Sequence, residues 1–205
     1  MAARQIGLAI ALVLVVATAC DRASTGDETD STDPTDSTDA PVAIPGCSTK
    51  GTGTFPRRSP RGVSQTALLT AVDITEEGCL DVIRFEFEGP GVGAGLPPGY
   101  LVEYRLGPFT VGEGEEAEEL DVSGSAFLVV TLESSARSIE GETSGQMLTY
   151  AGPTNFVPGG LNQLQEMALF VDAPDQMQWL IGLKGERPFL VDAAAGPPRI
   201  TIKIA

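Results

Sequence analysis

Three groups of residues in this chain could carry chemistry. The first is arginine: Arg57, Arg58 and Arg61 in "STKGTGTFPRRSPRGV", Arg84 within "LDVIRFEFEG", which could bind a ligand or pair with an acid across the strands, and Arg199 after two prolines. A guanidinium grips a carboxylate or phosphate through two parallel hydrogen bonds. The second is aromatic: Tyr100 and Tyr104 in "GYLVEYRLG", which could form a platform or pack a loop, and Trp179, which could stack on a sugar ring or fill a core. The third is carboxylate, with 28 Asp and Glu, including the run Glu115, Glu116, Glu118 and Glu119. The chain has no histidine. That excludes Ser-His-Asp and Cys-His hydrolysis and most zinc sites. A glycan hydrolase using carboxylates alone needs two acids about 5–9.5 Å apart in a cleft, one with a raised pKa. A hydrophilic run in a loop supplies no such pair, so the glutamates read as a solvated surface. No catalytic residue, metal site or cofactor is implied.

The net charge of −15 argues against nucleic acid as a partner and against tight docking on anionic lipid. The arginines around Pro56 and Pro60 are the one basic cluster, read either as a lead-in loop or as a contact for an anionic polymer.

The elements that position these residues begin after a leader. "IGLAIALVLVVATAC" follows a start with a single positive charge, Arg4. At roughly 14 residues before Cys20 the apolar run is short for a membrane span, which needs about 20. A basic start, an apolar middle and the small residues Ala17-Thr18-Ala19 describe an export signal over residues 1–19. It resembles the lipobox of bacterial lipoproteins, in which the following cysteine, here Cys20, carries the lipid. Several acyl chains would give stable anchoring in the cell membrane, facing outside the cytoplasm. Residues 20–45, rich in Ser, Thr, Asp and Pro, hold almost nothing to bury and read as a disordered tether. Their carboxylates lack the glycine turn of an EF-hand loop. In an exported chain, the remaining Cys47 and Cys79 read as one disulfide, which would contribute roughly 3–4 kcal/mol. Two reduced core thiols are the alternative.

Residues 46–205 read as one domain. "LDVIRFEFEG" alternates, with Ile83, Phe85 and Phe87 on one face and Arg84, Glu86 and Glu88 on the other. "GYLVEYRLG" alternates again, and "AFLVVTLESS" reads as a strand buried on both faces. The glycine-rich 89–99 stretch lacks the lysine and the following helix of a phosphate-binding loop. Residues 136–163 read as a long irregular region. From Leu164 onward the pattern is strand and turn repeated, with Met177, Trp179, Ile181 and Leu183 on one face and Ile200, Ile202 and Ile204 on another. About eight short strands at this spacing predict an all-β fold, an antiparallel β-sandwich.

The order "LDVIRFEFEG", "PGYLVEYRLGP", "AFLVVTLESS", "YAGP", "WLIGLKGERPFLVDAAAGPPRITIKI" resembles the AMIN-like domain of actinobacterial lipoproteins, over roughly residues 63–205. The resemblance implies a β-sandwich related to the AMIN domain of envelope amidases and secretins, which is non-catalytic there and binds peptidoglycan. Arg199 matches the family's Pro-Arg position and would take a stem-peptide carboxylate, or close the sandwich rim. Three positions depart from the pattern: Gly78-Cys79-Leu80 stands where a His is frequent, Gly196 where an acid precedes Pro-Pro-Arg, and Lys203 where Asp is common. The implied function is a lipid-anchored, non-catalytic module that binds the cell wall. The alternative is an envelope protein–protein module without a glycan ligand.

Overall fold

A computed structural model describes residues 53–59, 66–88, 96–112, 114, 117–140 and 146–205. Cys20, the tether, Cys47, Arg61 and the glycine-rich 89–95 segment lie outside the described residues.

Among the described residues the fold is all-β, without an α-helix. The strands are β1 (Arg57–Arg58), β2 (Ala67–Glu77), β3 (Leu80–Glu88), β4 (Gly99–Tyr104), β5 (Thr110–Val111), β6 (Glu118–Glu119), β7 (Ala126–Glu133), β8 (Ser135–Ala136), β9 (Ser138–Glu140), β10 (Gln146–Leu148), β11 (Asn155–Phe156), β12 (Leu164–Ala173), β13 (Gln176–Leu183), β14 (Phe189–Ala194) and β15 (Arg199–Ile204). Eight of these, β2, β3, β4, β7 and β12 to β15, run six residues or more and form the sandwich proper. β2 and β12, at 11 and 10 residues, are longer than the short strands expected.

Two sheets face each other. One is six-stranded in the order β1-β4-β7-β13-β12-β11, the other five-stranded in the order β14-β15-β3-β2-β8. All pairings within them are antiparallel except β2 with β8. The turns follow their chemistry. Gly78 takes a positive φ of 68° in the two-residue link between β2 and β3, where an L side chain would be strained. Pro174-Asp175 joins β12 to β13.

Alternation decides what each strand buries. Ile83, Phe85 and Phe87 turn inward with Ile200, Ile202 and Ile204, and meet Val102, Leu128, Val130, Leu132, Met177, Ile181 and Leu183 from the other sheet. Trp179 is fully buried at the centre, with Phe85, Phe156 and Tyr150 around it at centroid distances of 5.8, 6.1 and 6.4 Å. The "YAGP" stretch holds Tyr150 in place. Its hydroxyl donates to the Pro153 carbonyl at 2.7 Å, and its ring lies where a Cβ on Gly152 would stand.

One expectation is corrected. Residues 136–163 are not irregular throughout, because β9 and β10 pair as a ribbon and β11 joins the six-stranded sheet. Of the glutamate run, Glu118 and Glu119 are exposed on β6, as a solvated surface requires, and Glu115 and Glu116 lie outside the described residues. Around them Phe109, Leu120 and Val122 pack on Val129, Ala168 and Leu180, covering the outer face of the six-stranded sheet. This strap gives β7 its second apolar face and explains why Leu128 to Leu132 are buried without a break. Among the described residues both hydrophobic clusters draw their side chains from 67–205, so this part of the chain carries its own core.

Candidate functional site

The structure divides the candidate residues between two places. Arg84 and Arg199 lie on the outer face of the five-stranded sheet, because their strand neighbours Ile83, Phe85 and Ile200 point into the core. Arg199 pairs in register with Glu86 on β3 and Ala194 on β14. The next rank across the sheet is Asp192, Thr201, Arg84 and Asp73. Arg84 ion-pairs with Glu77 at 3.5 Å, and Lys203 reaches the other oxygen of the same carboxylate at 3.3 Å. These half-exposed contacts are worth little in stability, yet they occupy both cations. The Arg199 side chain is exposed and makes no hydrogen bond or ion pair with the described residues.

Arg57, Arg58, Tyr100 and Tyr104 gather at the β1–β4 edge of the other sheet. Arg57 stands across from Val102 and Arg58 across from Leu101. Tyr100 is half-buried, and its phenol is pushed up by burial and then by the Asp192 carboxylate, with Arg57 opposing. Tyr104 is not an open platform. Its hydroxyl donates to the Arg187 carbonyl and accepts from the Arg187 N–H, both at 2.8 Å, and its ring meets Phe189 edge-on at 5.8 Å. Burial pushes this phenol up to about 12, with the Arg187 backbone bond pulling the other way. A phenol raised above its ordinary 10.0 stabilises the fold fully below pH 10, and that stabilisation is lost as pH rises toward 12. In an absorbance titration of the phenolates, Tyr104 ionises last, and its ionisation coincides with alkaline unfolding. A Tyr104→Phe variant loses that final step.

Two organised carboxylates escaped the sequence reading. Asp81 is fully buried and accepts three backbone N–H groups: Asn162 at 2.9 Å on Oδ1, and Gln163 at 2.6 Å and Leu164 at 2.8 Å on Oδ2. Glu166 accepts from the Ser123 N–H and the Asn155 amide, each at 3.0 Å, and these bonds, the Ser123 backbone bond first, lower its pKa. Both carboxylates have their oxygens committed to structural donors. Among the described residues no group of three His, Cys, Asp or Glu side chains is placed to hold a metal. Cys79 is disulfide-bonded.

A groove also runs along the outer side of β12, between β5 and Thr154, with Phe170, Asp172 and Arg137 in its wall. Arg137 Nε donates to Asp172 Oδ2 at 2.5 Å. Neither residue carried a signal, since Arg137 sat in the stretch read as irregular and Asp172 beside a turn.

No curated protein and no solved structure matches this chain. The model of the AMIN-like domain family matches residues 67–205. That range holds both sheets save β1, all of both hydrophobic clusters, Asp81 and Arg199. Over most of its length, therefore, the chain belongs to the AMIN-like domain family.

Proposed function

We propose that this protein is a lipid-anchored module outside the cytoplasmic membrane that binds peptidoglycan without catalysing a reaction. Residues 1–19 would direct export, Cys20 would carry the lipid, and the acidic tether would hold the domain off the bilayer. Cys47 would be the partner of Cys79. The observation that carries the binding reading is Arg199: an exposed guanidinium on an ordered sheet face where Arg84 and Lys203 are already taken by Glu77. A stem-peptide carboxylate would fit it bidentately. The non-catalytic reading is supported by Asp81 and Glu166, whose oxygens accept structural hydrogen bonds and are poorly placed to move a proton.

The test is co-sedimentation of residues 46–205 with purified insoluble peptidoglycan at two salt concentrations. Arg199→Ala is expected to lose about tenfold in binding, the scale of one charge-assisted contact. Sedimentation equal for both forms would remove Arg199 from the site. No sedimentation at either salt would overturn wall binding and favour a protein partner. That second reading has one observation behind it. β11 pairs only with Met167 and Ala168, so the β12 edge from Phe170 to Asp172 lies beyond it, beside the groove, where an extended peptide could add as a strand.

A further inference from the structure

The corner where the described chain enters the sandwich carries a surface that wall binding does not use. Gly53 bridges to Phe189, whose N–H donates to the Gly53 carbonyl at 3.0 Å. The Phe55 ring and the Arg57 guanidinium both lie beside Gly53, each 3.7 Å from where its Cβ would stand. Phe189 in turn packs against Tyr104, which ends β4 two residues before Leu106. These contacts put Phe55, Arg57, Arg105 and Leu106 at one corner. Phe55 is 77% exposed and Leu106 is 96% exposed. Phe55 lies two residues before β1 and Leu106 two residues after β4, the antiparallel pair at the sheet edge, and Arg58 and Arg105 are exposed as well. The acids nearby are Glu103 on β4, Glu186, which acts on Tyr104, and Asp192, which acts with Arg57 on Tyr100. The local charges therefore nearly balance, and apolar contact has to do most of the binding.

We propose that this corner docks on the surface of a lipid bilayer. Phe55 and Leu106 enter the boundary between headgroups and acyl chains, and the exposed Arg58 and Arg105 meet anionic headgroups. Continuity with the proposed anchor selects a bilayer as the occupant. The chain that leads into Gly53 comes from the apolar run and Cys20, so the corner is the part of the domain nearest in sequence to that anchor. The net charge of −15 opposes an anionic surface, and the exposed arginines at this corner offset that repulsion locally without reversing it. Docking there would turn a tethered domain into an oriented one. The contact needs neither Arg199 nor the lipid itself.

The test uses non-lipidated residues 46–205 in flotation with phosphatidylcholine vesicles, and with the same vesicles containing phosphatidylglycerol, at low and high salt. Wild type is expected to float with the anionic vesicles and more weakly with the neutral ones. Phe55→Ser combined with Leu106→Ser should reduce flotation about tenfold on either vesicle. Arg58→Gln and Arg105→Gln together should reduce it only to the level that high salt gives. Flotation of the Phe55→Ser/Leu106→Ser form at the wild-type level would overturn the proposal, as would absence of wild-type flotation with both vesicles. Both substituted side chains are exposed, so an unchanged thermal midpoint is the folding control. Peptidoglycan sedimentation of the same variant at the wild-type level separates this contact from wall binding.

Discussion

Replacing Asp81 by Ala should destabilise the domain by about 3–5 kcal/mol, lowering its thermal midpoint by roughly 10 °C. The carboxylate is fully buried and takes N–H groups from three consecutive residues, Asn162, Gln163 and Leu164. Asp81 belongs to the five-stranded sheet, and Leu164 opens β12 of the six-stranded sheet, so the side chain staples one sheet to the other. Alanine would leave three donors without their acceptor, and buried unsatisfied donors cost about 1–3 kcal/mol each. The same loop is held from its other side. Lys184 Nζ donates to the carbonyls of Leu161 and Asn162 at 3.1 and 2.7 Å, the Lys184 N–H to that of Gln163 at 2.9 Å, and Arg187 Nε to Gln163 Oε1 at 2.9 Å. Loss of Asp81 should therefore loosen residues 161–164 before it unfolds the core. Hydrogen exchange at Asn162, Gln163 and Leu164 reads that directly, and urea unfolding gives the total. Asp81→Asn keeps one acceptor oxygen and should fall between the two forms. Asp81→Ala within 1 kcal/mol of wild type, with exchange unchanged at these three amides, would show that the staple is not needed.

The staple was invisible in the sequence for a physical reason. Its partners are backbone amides more than eighty positions away, and an amide has no side-chain signature. An aspartate beginning a strand reads the same whether it faces water or the core. What was legible is what alternation encodes. Ile83, Phe85 and Phe87 declared a half-buried strand, and the unbroken apolar run from Leu128 to Val130 declared a strand covered twice. The sequence did not say what covers it. In the strap, Phe109, Leu120 and Val122 are spaced out among acids, and the acidic average hides three packed side chains. The candidate site was half legible. Arginines on outward strand positions could be found by period. That Arg84 is held by Glu77, which lies outside its own rank, while Arg199 stays open depends on side-chain reach across the sheet. In sequence Tyr104 fits a platform and a packed loop residue alike, and what decides against the platform is Arg187, far along the chain, which closes off its hydroxyl.

Gly182→Ala should be nearly as damaging as the loss of Asp81, although it adds a single methyl group. A Cβ at Gly182 would stand 2.0 Å from the Ser123 carbonyl oxygen, 2.9 Å from its carbon and 3.0 Å from Val122 Cγ1. The approach is reciprocal, since a Cβ at Gly124 would stand 2.8 Å from Gly182 Cα and from the Leu183 nitrogen. Two backbones cross here in contact, which only glycine permits. β13 cannot give way, because Gly182 is paired with Phe127 on one side and Glu166 on the other. The strap must lift instead. Lifting strains the Ser123 bond to Glu166 and the Ser125 N–H bond to the Leu183 carbonyl at 2.8 Å. It also uncovers Val122, Phe109 and Leu180. Overpacking costs about 1–3 kcal/mol, and exposure of that second cluster takes the expected loss to roughly 3 kcal/mol or more. The damage should be one-sided. Trp179 faces the other cluster, so its fluorescence should hold while limited proteolysis opens the chain between Leu106 and Ser125. Gly185→Ala is the control, with nothing within 4 Å of its Cβ, and should match wild type. If Gly182→Ala resists protease as wild type does, the crossing has room that its geometry denies, and the strap is not what seals the outer face of the six-stranded sheet.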